Sequence, residues 1–214
     1  MWEGRLGPIQ SYGLSIRAHP RNPLMPILAD KNTRVLIQGI TGNEGRYHAG
    51  LMKAYGTRIV AGVTPGKGGQ TVEGVPVFDR IADARRASPI DATVLFVPPR
   101  LALPAVAEAV ENRIPLIVFL PEGFPLLDAL QAREMVRGAG LTMIGPNCPG
   151  LLVPGQSLLG VLAVHHARPG KIGVLSRSGT LTAAICQNLF KKGYGQSTVV
   201  GLGGDPVVGS SFSE

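Results

Sequence analysis

From residue 34 onward, short apolar runs alternate with stretches of helical spacing, and glycine or proline punctuates the joints. The β-rich runs are Arg34 to Gln38, Arg58 to Val63, Thr93 to Val97, Leu116 to Leu120 and Thr142 to Ile144. Between them, residues 43–55, 81–87, 103–113 and 125–137 carry helical patterns. Strands that alternate with helices make parallel βαβ units, and several such units make a doubly wound sheet. In the first helix Tyr47, Leu51 and Tyr55 stand four apart, with His48 and Met52 one step round; this spacing predicts the apolar face, and Gly56 the stop. A second unit follows: a strand over Lys171 to Leu175, a helix over 180–192 with Leu181, Ile185 and Leu189 in step, and a strand over Ser197 to Leu202. One βαβ unit is too little for an open sheet. The reading is therefore α/β: a Rossmann-like doubly wound domain over 25–150, then over 151–214 a linker and the opening part of an incomplete, flavodoxin-like second domain.

Composition narrows the class. Of 214 residues 44% are hydrophobic and 16% charged, against roughly 25% charged in ordinary globular chains, which excludes charge-driven disorder. The 29 glycines show no triplet period, which excludes collagen. A net charge of +7 favours an anionic partner. The basic residues are scattered, with Arg85-Arg86 and Lys191-Lys192 the only adjacent pairs, and aromatics make up 5%; nucleic acid is disfavoured. Two cysteines, Cys148 and Cys186, fit a reducing compartment better than a disulfide scaffold. No apolar run reaches membrane-spanning length. Residues 1–24 hold Arg5, Arg17 and Arg21 against Glu3. They read as a disordered extension, with Met25 as an alternative start. An organellar presequence is the other reading, so the expected location is the cytoplasm, with the mitochondrial matrix as the alternative.

Two glycine turns carry candidate chemistry. Gly39-Ile40-Thr41-Gly42-Asn43-Glu44-Gly45 joins a strand to a helix, where backbone amides and the helix N-terminus can meet an anion. The spacing is GxxGxxG rather than GxGxxG, and a tight turn without a ligand is the alternative. A dinucleotide binder often carries an acid after its second strand. Here Thr64-Pro65-Gly66-Lys67-Gly68-Gly69 puts a cation on a glycine-rich loop. Lys67 suits a ligand with an extra phosphate, such as coenzyme A or a phosphorylated dinucleotide; a solvated lysine is the other reading. Ser176-Arg177-Ser178-Gly179-Thr180 also opens a helix, either as an anion nest or as an ordinary N-cap.

Several stretches, in order, resemble the α subunits of succinyl-CoA synthetase and related acid–CoA ligases. They are Asp30 to Thr33, Gly39 to Gly42, Val63 to Gly69, Gly74 to Phe78, Glu122-Gly123, Ile144 to Gly150, Ser176 to Thr182 and Gly203 to Pro206. The resemblance implies coenzyme A contacts from Thr41, Gly42, Asn43, Glu44, Lys67, Leu120, Pro121 and Glu122. It implies a phosphate-binding turn at Ser178, Gly179 and Thr180, and a carboxylate substrate near Ala183. It also implies a β-subunit partner, in a heterodimer or heterotetramer, that holds ATP or GTP with Mg2+. No metal site, nucleic acid or membrane is expected on this chain. The family passes a phosphoryl group through a histidine in a Gly-His-Ala-Gly stretch, and none of His19, His48, His165 or His166 stands in one. The expectation is a C-terminally shortened chain with no catalytic residue of its own, inactive alone. Cys148 reads as a small buried filler. Ala183 stands where succinate enzymes tend to carry tyrosine, which leaves malate or citrate open as the acid. A non-catalytic CoA-binding module and a nicotinamide-binding sensor are the other functional readings.

Overall fold

The computed structural model describes residues 27–214. The expectations for residues 1–24 and for a start at Met25 lie outside the described residues. The first sheet uses β1 (Arg34–Gln38), β2 (Arg58–Val63), β3 (Thr71–Val72), β4 (Val75–Phe78), β5 (Ala92–Leu95), β6 (Leu116–Phe119) and β7 (Thr142–Ile144). Its spatial order is β3-β4-β2-β1-β5-β6-β7. All pairings are parallel except β3 with β4. The β3–β4 hairpin turns on Glu73 and Gly74, both with positive φ, which is the dihedral pattern of a type I′ turn. Strand order reverses between β1 and β5, so the carboxyl ends of these two strands flank the topological switch point.

Strands β5 and β6 are buried at every position, as expected of a parallel sheet covered on both faces. One face, through Leu36, Leu95, Ile117 and Phe119, packs on Ala84 of α2 (Ile81–Ala87), Val106 of α3 (Pro99–Glu111) and Ala132 of α4 (Leu126–Gly138). The other, through Val35, Ile37, Val94 and Val118, packs with Ala49 and Met52 of α1 (Asn43–Tyr55). The same core takes in Leu151 and Leu152 of β8 (Gly150–Val153), Leu158 and Leu159 of β9 (Ser157–Gly160), and Val199 of β11 (Gln196–Gly201).

The second sheet has the order β10-β11-β8-β9, with β10 at Pro169–Ser176. β10 and β11 are parallel, linked through α5 (Gly179–Lys191). β8 and β9 form an antiparallel hairpin beside them. The parallel β10–α5–β11 unit is the one the sequence predicts; the hairpin that widens it is not. Residues 151–214 thus share their core with the first sheet through a segment the sequence presents as linker.

Two helix faces differ from expectation. In α1 the buried residues are Gly45, Ala49 and Met52, while Tyr47 and Leu51 are 64% and 45% exposed. The helix lies between the first sheet and β9, and that space favours small side chains over aromatic ones. In α5 Ile185 and Leu189 pack against the core as the spacing predicts, but Leu181 is exposed and the buried positions are Thr182 and Cys186. α3 also begins earlier than predicted, at Pro99, and carries Pro104 inside. Proline at the first helical position loses no intrahelical bond, which allows the earlier start.

Candidate functional site

The chain leaves β1 at Gln38 and enters α1 through the turn Gly39 to Gly42. Gly42 occupies the N-cap position with extended backbone and gives α1 no side-chain cap. The first-turn amides of α1 are thus open to an outside acceptor. Gly45 explains the close fold of this turn: a Cβ there would lie 2.2 Å from the Gly39 carbonyl oxygen.

Two adjoining cavities open at the switch point. One, of about 350 Å³, is lined by Gln38, Thr41, Gly42, Thr64, Pro65, Phe96 and Leu101 among others. The other, of about 1090 Å³, is lined by Gly42, Asn43, Glu44, Leu120, Pro121, Glu122 and Cys148 among others. Gly42, Phe96, Val97 and Pro98 line both. The structure therefore brings together Thr41, Gly42, Asn43, Glu44, Leu120, Pro121 and Glu122, drawn from two stretches far apart in sequence. Their common origin is the carboxyl ends of β1 and β6.

Lys67 is fixed differently. Its loop is held by Lys67 N donating to Thr64 O at 3.1 Å, Gly69 N to Val77 O at 3.0 Å and Gly68 N to Asp79 Oδ1 at 2.9 Å. The Lys67 side chain is exposed, lines neither cavity, and has no ion pair among the described residues. Its loop neighbours Thr64 and Pro65 form a wall of the smaller cavity.

The second turn is built unlike the first. Ser178 caps α5 with its own side chain, accepting from Leu181 N at 3.2 Å. Thr182 Oγ1 donates to Ser178 O at 2.7 Å. Arg177 ties the turn to the 203–205 loop through Nε to Gly203 O at 3.0 Å and a further bond to Asp205 O. Ser178, Gly179, Thr180 and Ala183 are exposed and line neither cavity. Pro149 bridges the gap: its ring lies 3.7 Å from a Cβ built on Gly179 and 2.3 Å from one built on Gly201. Only glycine at 201 admits that ring. Pro149 directly follows Cys148, which lines the larger cavity, so the second turn lies just beyond that cavity's wall.

Cys148 donates from Sγ to Phe119 O at 3.3 Å, and burial pushes its thiol up to about 12. It is protonated at neutral pH and packs as a small apolar group. His165 and His166 meet edge to face, His166 also meets Phe190 edge-on, and neither histidine lines either cavity. Among the described residues no group of three His, Cys, Asp or Glu side chains could hold a metal ion. No described helix is long and apolar enough to cross a membrane.

The β5–α3 connection, absent from the sequence expectations, supplies Phe96, Val97, Pro98 and Leu101 to the apolar wall. A signal for it was present: the strand paired with β1 on the far side of the switch must contribute its following loop to any ligand there.

Residues 30–123 match a family of CoA-binding domains. The chain is 51% identical over 190 residues to a succinate–CoA ligase [ADP-forming] subunit alpha 2 of Archaeoglobus fulgidus, covering 89% of this chain and 66% of that one. It is 46% identical to the corresponding alpha subunit of Aquifex aeolicus, covering 86% and 61%, and 42% identical to that of Staphylococcus aureus, covering 88% and 62%. The chain thus spans a little under two thirds of the length of these relatives. Among solved structures, an ATP citrate lyase of Methanothrix soehngenii in complex with citrate and coenzyme A superposes with a TM-score of 0.75 at 24% identity, covering 90% of this chain and 34% of that one. That likeness concerns the fold.

Proposed function

This chain belongs to the family of succinate–CoA ligase α subunits, and from that premise we propose that it binds coenzyme A across the β1/β5 switch point. The observation that carries the reading is the uncapped N-terminus of α1, which opens onto two adjoining cavities. A diphosphate at Thr41 to Glu44 meets the open amides of that helix. The adenine lies in the smaller, mostly apolar cavity, and the exposed Lys67 ammonium meets the 3′-phosphate. The pantetheine arm runs along the larger cavity past Leu120, Pro121 and Glu122 toward Cys148. The Cys148 thiol stays protonated and does not compete with the thiol of coenzyme A for the acyl group.

Beyond the end of that arm stands the α5 turn. Its position behind Pro149 supports a role for Ser178, Gly179 and Thr180 in holding the acyl carboxylate or a transferred phosphoryl group. The phosphoryl carrier is a histidine other than His48, His165 and His166, none of which stands at that turn. In the whole enzyme this chain acts as an α subunit in the cytoplasm. A β subunit holds ATP or GTP with Mg2+, and together they join succinate, or another dicarboxylate accommodated by the small Ala183, to coenzyme A.

Isothermal titration with coenzyme A and with NADH tests the reading. Coenzyme A binds with one site per chain and NADH does not; binding of NADH in preference would overturn it.

A further inference from the structure

Phe96 lines both cavities, and something must fix its ring. His48 of α1 lies flat behind it, with ring centroids 5.4 Å apart and planes at 11°. Tyr47 meets the same imidazole edge-on at 5.0 Å. His48 Nε2 stands 3.4 Å from Glu44 Oε2, one turn earlier on the helix. The His48 side chain is 16% exposed and lines neither cavity, whereas Glu44 is 79% exposed and lines the larger one.

These contacts serve two ends. A phenylalanine in a loop just after a strand is free to change rotamer unless a neighbour covers a face. A carboxylate in the first turn of a helix is drawn to the same amides that would bind an anion. Glu44 therefore competes with a phosphate for the α1 N-terminus unless another group holds it aside. An imidazole at 48 is placed for both tasks: its face lies against Phe96, and its Nε2 is the polar neighbour of Glu44 on the side away from the turn's amides.

We propose that His48 is a positioning residue for the coenzyme A groove. It braces Phe96 as the wall shared by the two cavities and keeps the Glu44 carboxylate off the anion-binding turn. The proposal rests on the coenzyme A reading above. His48 acts through these two neighbours and touches no ligand itself.

Titration calorimetry with coenzyme A on the wild-type chain, His48→Ala, His48→Phe and the double variant His48→Phe/Glu44→Gln tests it, with Tm measured on each. His48→Ala loses both contacts and weakens binding about tenfold, roughly 1.4 kcal/mol. His48→Phe keeps the stack but frees Glu44, and loses about threefold. Removing the Glu44 charge in the double variant returns affinity to within about twofold of wild type. A merely structural histidine predicts that affinity follows Tm, and no rescue by Glu44→Gln. Wild-type binding at full strength in His48→Ala, or no gain from Glu44→Gln in the Phe background, overturns the positioning role alone. Where His48→Ala does not fold, the comparison of the two Phe variants decides. Failure of the wild-type chain to bind coenzyme A overturns the reading beneath it, and the proposal with it.

Discussion

The Thr57 hydroxyl exchanges two hydrogen bonds with the backbone of Leu158, donating to its carbonyl at 2.7 Å and accepting from its amide at 2.9 Å. All these groups are buried and the residues stand 101 apart in sequence. The pair pins the end of α1 to β9, so the helix that opens the ligand turn is anchored at its other end by the second sheet. Thr57→Val keeps the shape and leaves two buried backbone groups unpaired. It costs about 2 kcal/mol, or about 4–8 °C in Tm for a chain this size. Thr57→Ser keeps the hydroxyl and recovers most of the loss. Differential scanning calorimetry on the two variants checks both.

At the other end of α1, Gly45→Ala places a methyl 2.2 Å from the Gly39 carbonyl oxygen. The turn must open to relieve the clash. Affinity for coenzyme A then falls by about tenfold or more, about 1.4 kcal/mol or greater, even where circular dichroism shows the helix retained.

Lys67→Ala separates the two ends of the ligand. The lysine is exposed and unpaired among the described residues, so Tm is unchanged. If its ammonium meets the 3′-phosphate, affinity for coenzyme A drops about tenfold, while affinity for dephospho-coenzyme A stays within about twofold. Calorimetric titration with the two ligands reads the difference.

Acid sensitivity comes from Asp91 at the mouth of β5. Arg34 donates to it from N at 2.9 Å, Nε at 2.8 Å and a terminal nitrogen at 2.7 Å. These bonds, the guanidinium ones foremost, hold its carboxyl below the usual range. A carboxyl depressed in the folded state contributes stability above its unfolded value near pH 4. That contribution is lost as pH falls through the lower folded value. The Tm advantage of wild type over Asp91→Asn is therefore full at pH 7 and shrinks below about pH 4. Thermal melts of both proteins from pH 7 to 2.5 follow it.

The regular βαβ frame was legible because its strands are Val-, Ile- and Leu-rich runs closed by glycine or proline; α1 and β2 begin and end where the pattern places them. β8 and β9 were not. They are four residues each around Pro154-Gly155-Gln156, and a proline–glycine step that marks a tight turn between apolar runs also reads as a linker. The α1 face was misjudged because an apolar count favours Tyr47 and Leu51, whereas the buried face carries Gly45, set against the Gly39 carbonyl, and Ala49, packed in the core with β9. Seven of the residues that the family resemblance points to as coenzyme A contacts do converge on the cavities. Phe96 and His48 stayed hidden because their role depends on a contact between α1 and the β5–α3 loop, and no local spacing announces it.

Hydrogen–deuterium exchange with and without coenzyme A shows whether the ligand sits at the β1/β5 switch point. Binding adds protection in residues 39–46, 64–69, 96–101 and 120–123 and leaves β10 unchanged. Protection confined to β10 and α5, or absent from the α1 turn at saturating ligand, would contradict that placement.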